Sequence, residues 1–600
     1  MFPESIASFI EQEEASYRTR EVEIFDNYRW SMTQHIQMSA SFKLGKFLHS
    51  SNDPRFKAPF KNIVIKNLRL RYRAEDIDVK DITLYVDDPE KHHLSFLIKK
   101  YHDDVFVIEN DLDTFFDQAK EEKIDLGGVL IKKGQDAVPE VLHLQGLAFC
   151  DQTNILGGPI GFKFNFSPDT LRTKAKLGWG DPKNGATISI EDLIVLAKRE
   201  KDPAGTTEHR TNKTTGKIIE VYIVRGQMPE DYLNGGDMET MVNQVQVVAF
   251  YHDENNDRQS QILFRNKEVE DVLKFHDPEP IFNRALGFGG VEELFDPQIW
   301  TNFAEIHKTN MLKAGSKLVF QTDDDGYANR NKIRDMENLE ITVTKEGSRI
   351  DQVPTGSPNI QLFNESLVEW EEYAQDIAGA TDALLGKAPP AGSPFALQRL
   401  VTKEGKGLHE YRRGKYAKFI EEIYKDWIIP EIAKKITKGM KFLSTLSSDE
   451  TLWLIERVSV NRAAKAQWES ILTGKQPDEF EVLVQKERDT LAQGGNQIFL
   501  EILKEELKGV ELKVKVNVVG KQKDLVEMAG KAVDVLRQFL ATPQLRQDPF
   551  AMKLVSKVLE WSGMDTQDLA ALAATPALPP APESATKPLK ELATKAEAVA

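Results

Sequence analysis

Apolar residues recur along this 600-residue chain with two different periods. Leu512, Val514, Val516 and Val518 alternate with Lys513, Lys515 and Asn517, which predicts a half-buried strand. Helical spacing appears in three stripes: Ile190, Leu193, Ile194 and Ala197; Val291, Phe295, Ile299, Phe303 and Ile306; and Phe363, Leu367, Trp370, Ala374 and Ile377. Ser189 followed by Asp192 resembles a capping box at the start of the first stripe, with Asp202–Pro203 as its stop. Asp296–Pro297 falls inside the second stripe, so that helix either runs through it or starts there.

Between these stripes the pattern is shorter and more mixed. Residues 1–50 read as helical. Over 60–165, Ile63–Val64–Ile65, Leu68–Leu70, Ile82–Leu84 and Val129–Leu130–Ile131 are short β-prone runs, with a helix over Leu112–Ala119 among them. A polar stretch, 203–216, leads into Ile218–Val224, Val245–Tyr251 and Gln261–Phe264, which predict a small β-unit inserted between helices. A strand over Leu339–Val343 precedes the Gly/Pro-rich Pro354–Asn359. Residues 395–436 read as helix broken by Gly405, Gly407 and Gly414, and helices are expected near 523–540 and 549–562. Beyond about 571 the Ala/Pro/Thr/Lys composition predicts disorder.

Length adds that one core does not suffice; at roughly 150 residues per domain, three to five units are expected. Charged residues make up 29% and the net charge is −16, which argues against a surface that wraps nucleic acid by neutralising phosphates. A single cysteine, Cys150, excludes an internal disulfide framework and reads as a buried small hydrophobe in a reducing compartment. The start lacks a basic, apolar leader, and no apolar run approaches the roughly 18 residues of a membrane span, so a soluble chain with no membrane association is expected.

Candidate chemistry is sparse. Gly386–Lys387 fails the phosphate-loop pattern because Ala388 follows and no glycine stands five residues earlier. Gly287–Phe288–Gly289–Gly290 has Glu292 where a nucleotide fingerprint needs its third glycine, and reads as a flexible turn. Asp323–Asp324–Asp325–Gly326 would place Gln321 and Lys332 at the outer ligand positions of a calcium loop, neither of them a carboxylate. Adjacent His92 and His93 point apart on a strand. No catalytic, cofactor-binding or metal-ligating residue is therefore assigned, and no enzymatic activity is expected. One basic cluster stands out: Lys403, Lys406, Arg412, Arg413, Lys415 and Lys418, read as a solvated helix face or a contact for nucleic acid or an acidic neighbour.

The order of elements and three local motifs resemble the portal proteins of tailed bacteriophages. Gly290–Val291–Glu292–Glu293–Leu294–Phe295–Asp296–Pro297–Gln298, with Asn302 after it, resembles the start of the family's second stem helix. Ile377 to Gly386, then Pro389–Pro390, Ser393 and Ala396, resembles the segment ending the wing helix, with Gly379–Ala380 where the family often has Gly-Val. Val129–Leu130–Ile131–Lys132–Lys133 resembles a wing strand. The resemblance covers about residues 100–560.

It implies an α+β fold, helix-rich with small antiparallel β-units, in a portal architecture. The N-terminal wing would be 1–186, the first stem helix 187–202, the clip 203–285 and the second stem helix 286–315. A wing strand region (316–350), a tunnel loop (351–360), wing helices (361–475), a crown (476–570) and a disordered tail (571–600) would follow. The tunnel loop lining a DNA channel would contain Gln352, Val353, Pro354, Thr355, Gly356, Ser357, Pro358 and Asn359. The family's function would then apply: a homo-oligomeric ring, usually a dodecamer, at one capsid vertex of the virion, assembled in the host cytoplasm. Double-stranded DNA would be packaged and ejected through it. Its partners would be the major capsid protein, the large terminase ATPase and a head–tail connector or adaptor, with no cofactor. The alternatives are another virion structural protein, such as a connector or minor head protein, and a metal-dependent nuclease.

Overall fold

The computed structural model describes residues 3–45, 60–86, 98–198, 218–252, 257–268, 272–315, 319–323, 350–353, 360–380, 407–438, 448–473, 479–490 and 512–516. The chain divides into two compact units, Met1–Val518 and Val519–Ala600, and every described residue belongs to the first. The helices expected near 523–540 and 549–562 and the tail from 571 lie outside the described residues, as do 203–216 and the strand over Leu339–Val343.

The chain opens with α1 (Ile6–Thr19), a hairpin of β1 (Val22–Phe25) and β2 (Tyr28–Trp30), α2 (Met32–Leu44) and α3 (Val64–Ala74). The strands expected over Ile63–Ile65 and Leu68–Leu70 are thus one helix. Val64, Asn67, Leu68 and Arg71 are its buried positions, a spacing that only a helix puts on one face. β3 (Ile82–Val86), α4 (Leu112–Leu126), β4 (Val129–Lys133), β5 (Pro139–Leu142), β6 (Leu147–Phe149) and β7 (Ile160–Phe166) follow.

After α5 (Pro168–Ala175) comes α6 (Ile190–Lys198), started as expected: the Ser189 hydroxyl accepts from the Asp192 N–H at 3.2 Å and donates to the Asp192 carboxylate at 2.6 Å. Three long strands, β8 (Ile219–Pro229), β9 (Met241–His252) and β10 (Arg258–Lys267), precede β11 (Leu273–His276). A short helical turn, Gly290–Glu293, then leads into α7 (Phe295–Gly315), β12 (Val319–Thr322), β13 (Ile350–Val353) and α8 (Ile360–Ile377). Next, α9 (Gly407–Ile423) runs through the π-helical turn Tyr424–Ile428 into α10 (Ile429–Lys438). α11 (Ser448–Leu472) and β14 (Leu512–Val516) follow, with further helical residues over 98–109 and 480–490, and β14 pairs antiparallel with β3 across more than 400 residues of chain. Gly414 sits inside α9 without breaking it. The fold is α+β, helix-rich with small antiparallel sheets.

The strands over 219–267 do not form a unit of their own. They continue the sheet begun before α5, giving the antiparallel order β10-β9-β8-β7-β6. The physical reason is burial on both faces. Ile219, Val221, Val247, Ala249 and Leu263 pack with Leu171 of α5 and with Ile190, Leu193, Ile194 and Ala197 of α6. Tyr222, Val224, Val248 and Phe250 pack on the opposite face with Ile6, Phe9 and Ile10 of α1. A strand buried on both sides reads as a continuous apolar run, which hides its alternation. The β10 edge is covered in part: the Thr187 and Gly180 N–H groups donate to the Ile262 and Leu263 carbonyls, both at 2.8–2.9 Å.

A second sheet, β11-β4-β5, joins the two main cores. Val129 and Ile131 of β4 face a core built with α4 and α9, while Leu130 faces the core of α1 and β6–β9. Beside it, the Gly287–Gly290 segment is no flexible turn. Gly127, at φ +77°, passes so close that a Cβ there would lie 2.3 Å from the Gly287 carbonyl oxygen, and the Gly287 N–H donates to the Gly127 carbonyl at 3.1 Å. The glycines are needed because two backbones touch.

Candidate assembly surface

α7 begins at Phe295, after a break at Leu294, with the Asp296–Pro297 pair in its first turn. The stretch that resembles a stem-helix start has a structural task. Gln298, fully buried, accepts from the Ile63 and Val64 N–H groups at 2.9 and 3.3 Å and donates to the Lys61 carbonyl at 2.8 Å. Asn302 accepts from the Lys61 N–H at 3.1 Å. Asn62, just ahead of α3, accepts from the Ile65 N–H at 3.0 Å, and the Ile63 and Val64 N–H groups are satisfied by Gln298 from 235 residues away. Asn62 is the local signal of this helix start, and only the share taken by Gln298 needs the third dimension to be seen.

Below this joint lies a buried ionic hub. The Glu75 carboxylate meets Arg71 Nε at 2.8 Å, Lys123 Nζ at 2.9 Å and His409 Nδ1 at 3.5 Å. Arg71 and Arg412 also hold Glu293, at 2.8 and 2.6 Å, and Arg412 reaches Glu279 at 2.5 Å. Burial raises the Glu75 pKa, but Lys123 and Arg71 outweigh it and hold the carboxyl well below its usual range. The basic cluster of the sequence is therefore largely spent inside the molecule. Arg412 and Arg413 are buried, Lys415 donates to the Pro278 carbonyl at 2.7 Å, and only Lys418 is exposed, while Lys403 and Lys406 lie outside the described residues.

The outer side of α7 is different. It packs antiparallel on α8, burying Leu367 and Ala374, and both helices leave aromatic rings towards solvent. Trp300 is 52% exposed, Phe303 44% and Tyr373 50%. Trp300 stacks on Trp370 at 6.1 Å and 12°, Trp370 meets Tyr373 edge-on at 5.8 Å, and His307 stacks on Phe363 at 6.1 Å. The stripe Val291, Phe295, Ile299, Phe303 and Ile306 is thus buried only at its beginning. The inward face of α7 is instead polar, with Gln298, Thr301 and Asn302. Six rings lie partly open across these two helices, an apolar feature of a kind that marks interaction surfaces.

Of the expected tunnel-loop residues, Gln352 and Val353 belong to β13 and pair with Phe320 and Val319 of β12. Pro354, Thr355, Gly356, Ser357, Pro358 and Asn359 lie outside the described residues. Among the described residues no group of three or more His, Cys, Asp or Glu could hold a metal ion, and no helix is long and apolar enough to cross a membrane. Cys150 is buried, and burial pushes its thiol up to about 12.

No protein-family model matches this chain, and no curated protein matches it. Among solved structures, it is similar to one described as the neck of an empty GTA particle computed with C6 symmetry. The match has a TM-score of 0.28 and 9% sequence identity, covering 78% of this chain and all of the other. At that level of superposition the similarity carries no functional weight.

Proposed function

We propose that this chain is the repeating subunit of a portal ring, the channel at one capsid vertex through which double-stranded DNA is packaged and ejected. The observation that carries this reading is the open aromatic face shared by α7 and α8. Half of it lies on the helix whose start, Gly290–Gln298 with Asn302 after it, resembles the second stem helix of that family. Covering half-exposed Trp, Phe and Tyr side chains contributes roughly 1 kcal/mol apiece, so a second copy seated there would be stabilised substantially. A net charge of −16 keeps phosphate contacts weak, which suits a conduit along which DNA must slide.

In this role the chain needs no catalytic group. The energy for translocation would come from a separate terminase ATPase, and the ring would dock the major capsid protein and a head–tail connector. Negative-stain microscopy of the purified full chain tests the reading. Closed rings with a central hole are expected, and monomers or open filaments would sink it. Incubation of the same sample with plasmid DNA and Mg²⁺ or Mn²⁺ separates the nuclease alternative: the DNA is expected to stay intact.

A further inference from the structure

Two charged stripes on this protomer face solvent without counter-charges among the described residues. On α8, Glu365, Glu369, Glu372 and Asp376 are exposed at helical spacing, on the side away from buried Leu367 and Ala374. None of the four meets a cation among the described residues, whereas Glu371 beside them pairs with Lys61. Like charges three or four residues apart destabilise a helix, so the bare stripe is unfavourable until a cation covers it. On α3, Lys66, Arg69 and Arg73 are exposed at the same kind of spacing, opposite buried Asn67, Leu68 and Arg71. None of these three meets a carboxylate among the described residues.

Resting on the ring reading above, we infer that neighbouring subunits meet head to tail, the basic stripe of α3 on one copy docking against the acidic stripe of α8 on the next. A ring of more than two copies requires a heterologous contact, in which two different surfaces of one chain complement each other. Two bare stripes of opposite sign provide that. Their lengths are compatible: Lys66 to Arg73 spans about 10 Å of helix and Glu365 to Asp376 about 16 Å, so the shorter basic row fits along the acidic one. The acidic row shares α8 with Trp370 and Tyr373, which places charge steering beside the apolar area that a neighbour would cover.

Charge reversal tests this with its own rescue. One full-length variant carries Lys66→Glu, Arg69→Glu and Arg73→Glu; a second carries Glu365→Lys, Glu369→Lys and Glu372→Lys. Wild type is expected to give rings by mass photometry, and each variant alone to lose assembly at least tenfold while keeping the wild-type circular dichroism spectrum. Mixing the two variants should restore rings, because every contact in an alternating ring again joins opposite charges. A single chain carrying all six changes should also assemble. Variants that form rings as wild type does, or a mixture and a six-fold variant that stay monomeric, would overturn the stripe pairing and leave the ring reading standing. A wild type that never assembles would overturn both.

Discussion

The ionic hub around Glu75 and the face of α7 and α8 use the same kinds of residue to opposite ends. At the hub, arginine, lysine and glutamate are desolvated and closed on one another within 3 Å, and Lys123 lies 4.6 Å from the Tyr416 ring. On the helix pair, glutamates stand bare and tryptophan rings are half covered. Buried charges are costly to strand, so the hub is committed to one arrangement of α3, α4 and α9. The outward carboxylates of the helix face, Glu365, Glu369, Glu372 and Asp376, close on no cation among the described residues. Residue type therefore says little here about role; closure of its contacts does.

The widest separation between the two regions should appear on neutralising one carboxylate in each. Glu75→Gln leaves Lys123 and Arg71 buried without their shared partner and should destabilise the fold by about 4 kcal/mol in denaturant unfolding. Glu369→Gln on the bare stripe should change stability by less than about 0.5 kcal/mol. Equal effects would erase the contrast. Nearly as large a loss, about 3 kcal/mol, is expected for Gly127→Ala, where the positive φ and the Gly287 carbonyl both oppose a Cβ.

Acid should act on the buried side alone. His35 is 5% exposed, and burial lowers its pKa to about 4, with Arg284 adding to the shift and Glu292 opposing it. The unfolded chain binds this proton below about pH 6.5, whereas the folded one resists it down to about 4. Stability attributable to His35 is therefore complete above pH 6.5 and lost as pH falls through that window, by about 3 kcal/mol. His35→Leu should flatten that part of the pH profile of thermal unfolding. The smallest effect on folding belongs to Trp300→Ser, expected to cost the monomer less than about 1 kcal/mol while abolishing ring formation in sedimentation.

Some of this was legible in the chain. The Ser189 cap, the spacing of Ile190 to Ala197 and the strand at Leu512–Val516 depend on neighbours in sequence, and the structure has them. What escaped depends on distant partners. Ile63–Val64–Ile65 has strand chemistry but is helical, its first N–H groups shared between neighbouring Asn62 and distant Gln298. Arg412 looks solvent-bound until Glu75, Glu279 and Glu293 arrive from three other segments. The sheet of β8–β10 looked separate because α5 and α6 interrupt it in sequence, although Phe166 and Ile219 are paired neighbours. The tunnel-loop expectation remains confined to Gln352 and Val353, which β13 takes up.

That last pairing has a consequence for how such a chain can change over generations. The polypeptide leaves the sheet at Phe166 and re-enters it at Ile219, directly alongside, so the intervening excursion is anchored at both ends by one ladder. Lengthening an anchored excursion adds only about 0.6 kcal/mol for each doubling. Sequence added between 167 and 218 can therefore accumulate at little cost, provided that Leu171 and the Ile190–Ala197 stripe stay in place over Val221, Val247 and Ala249.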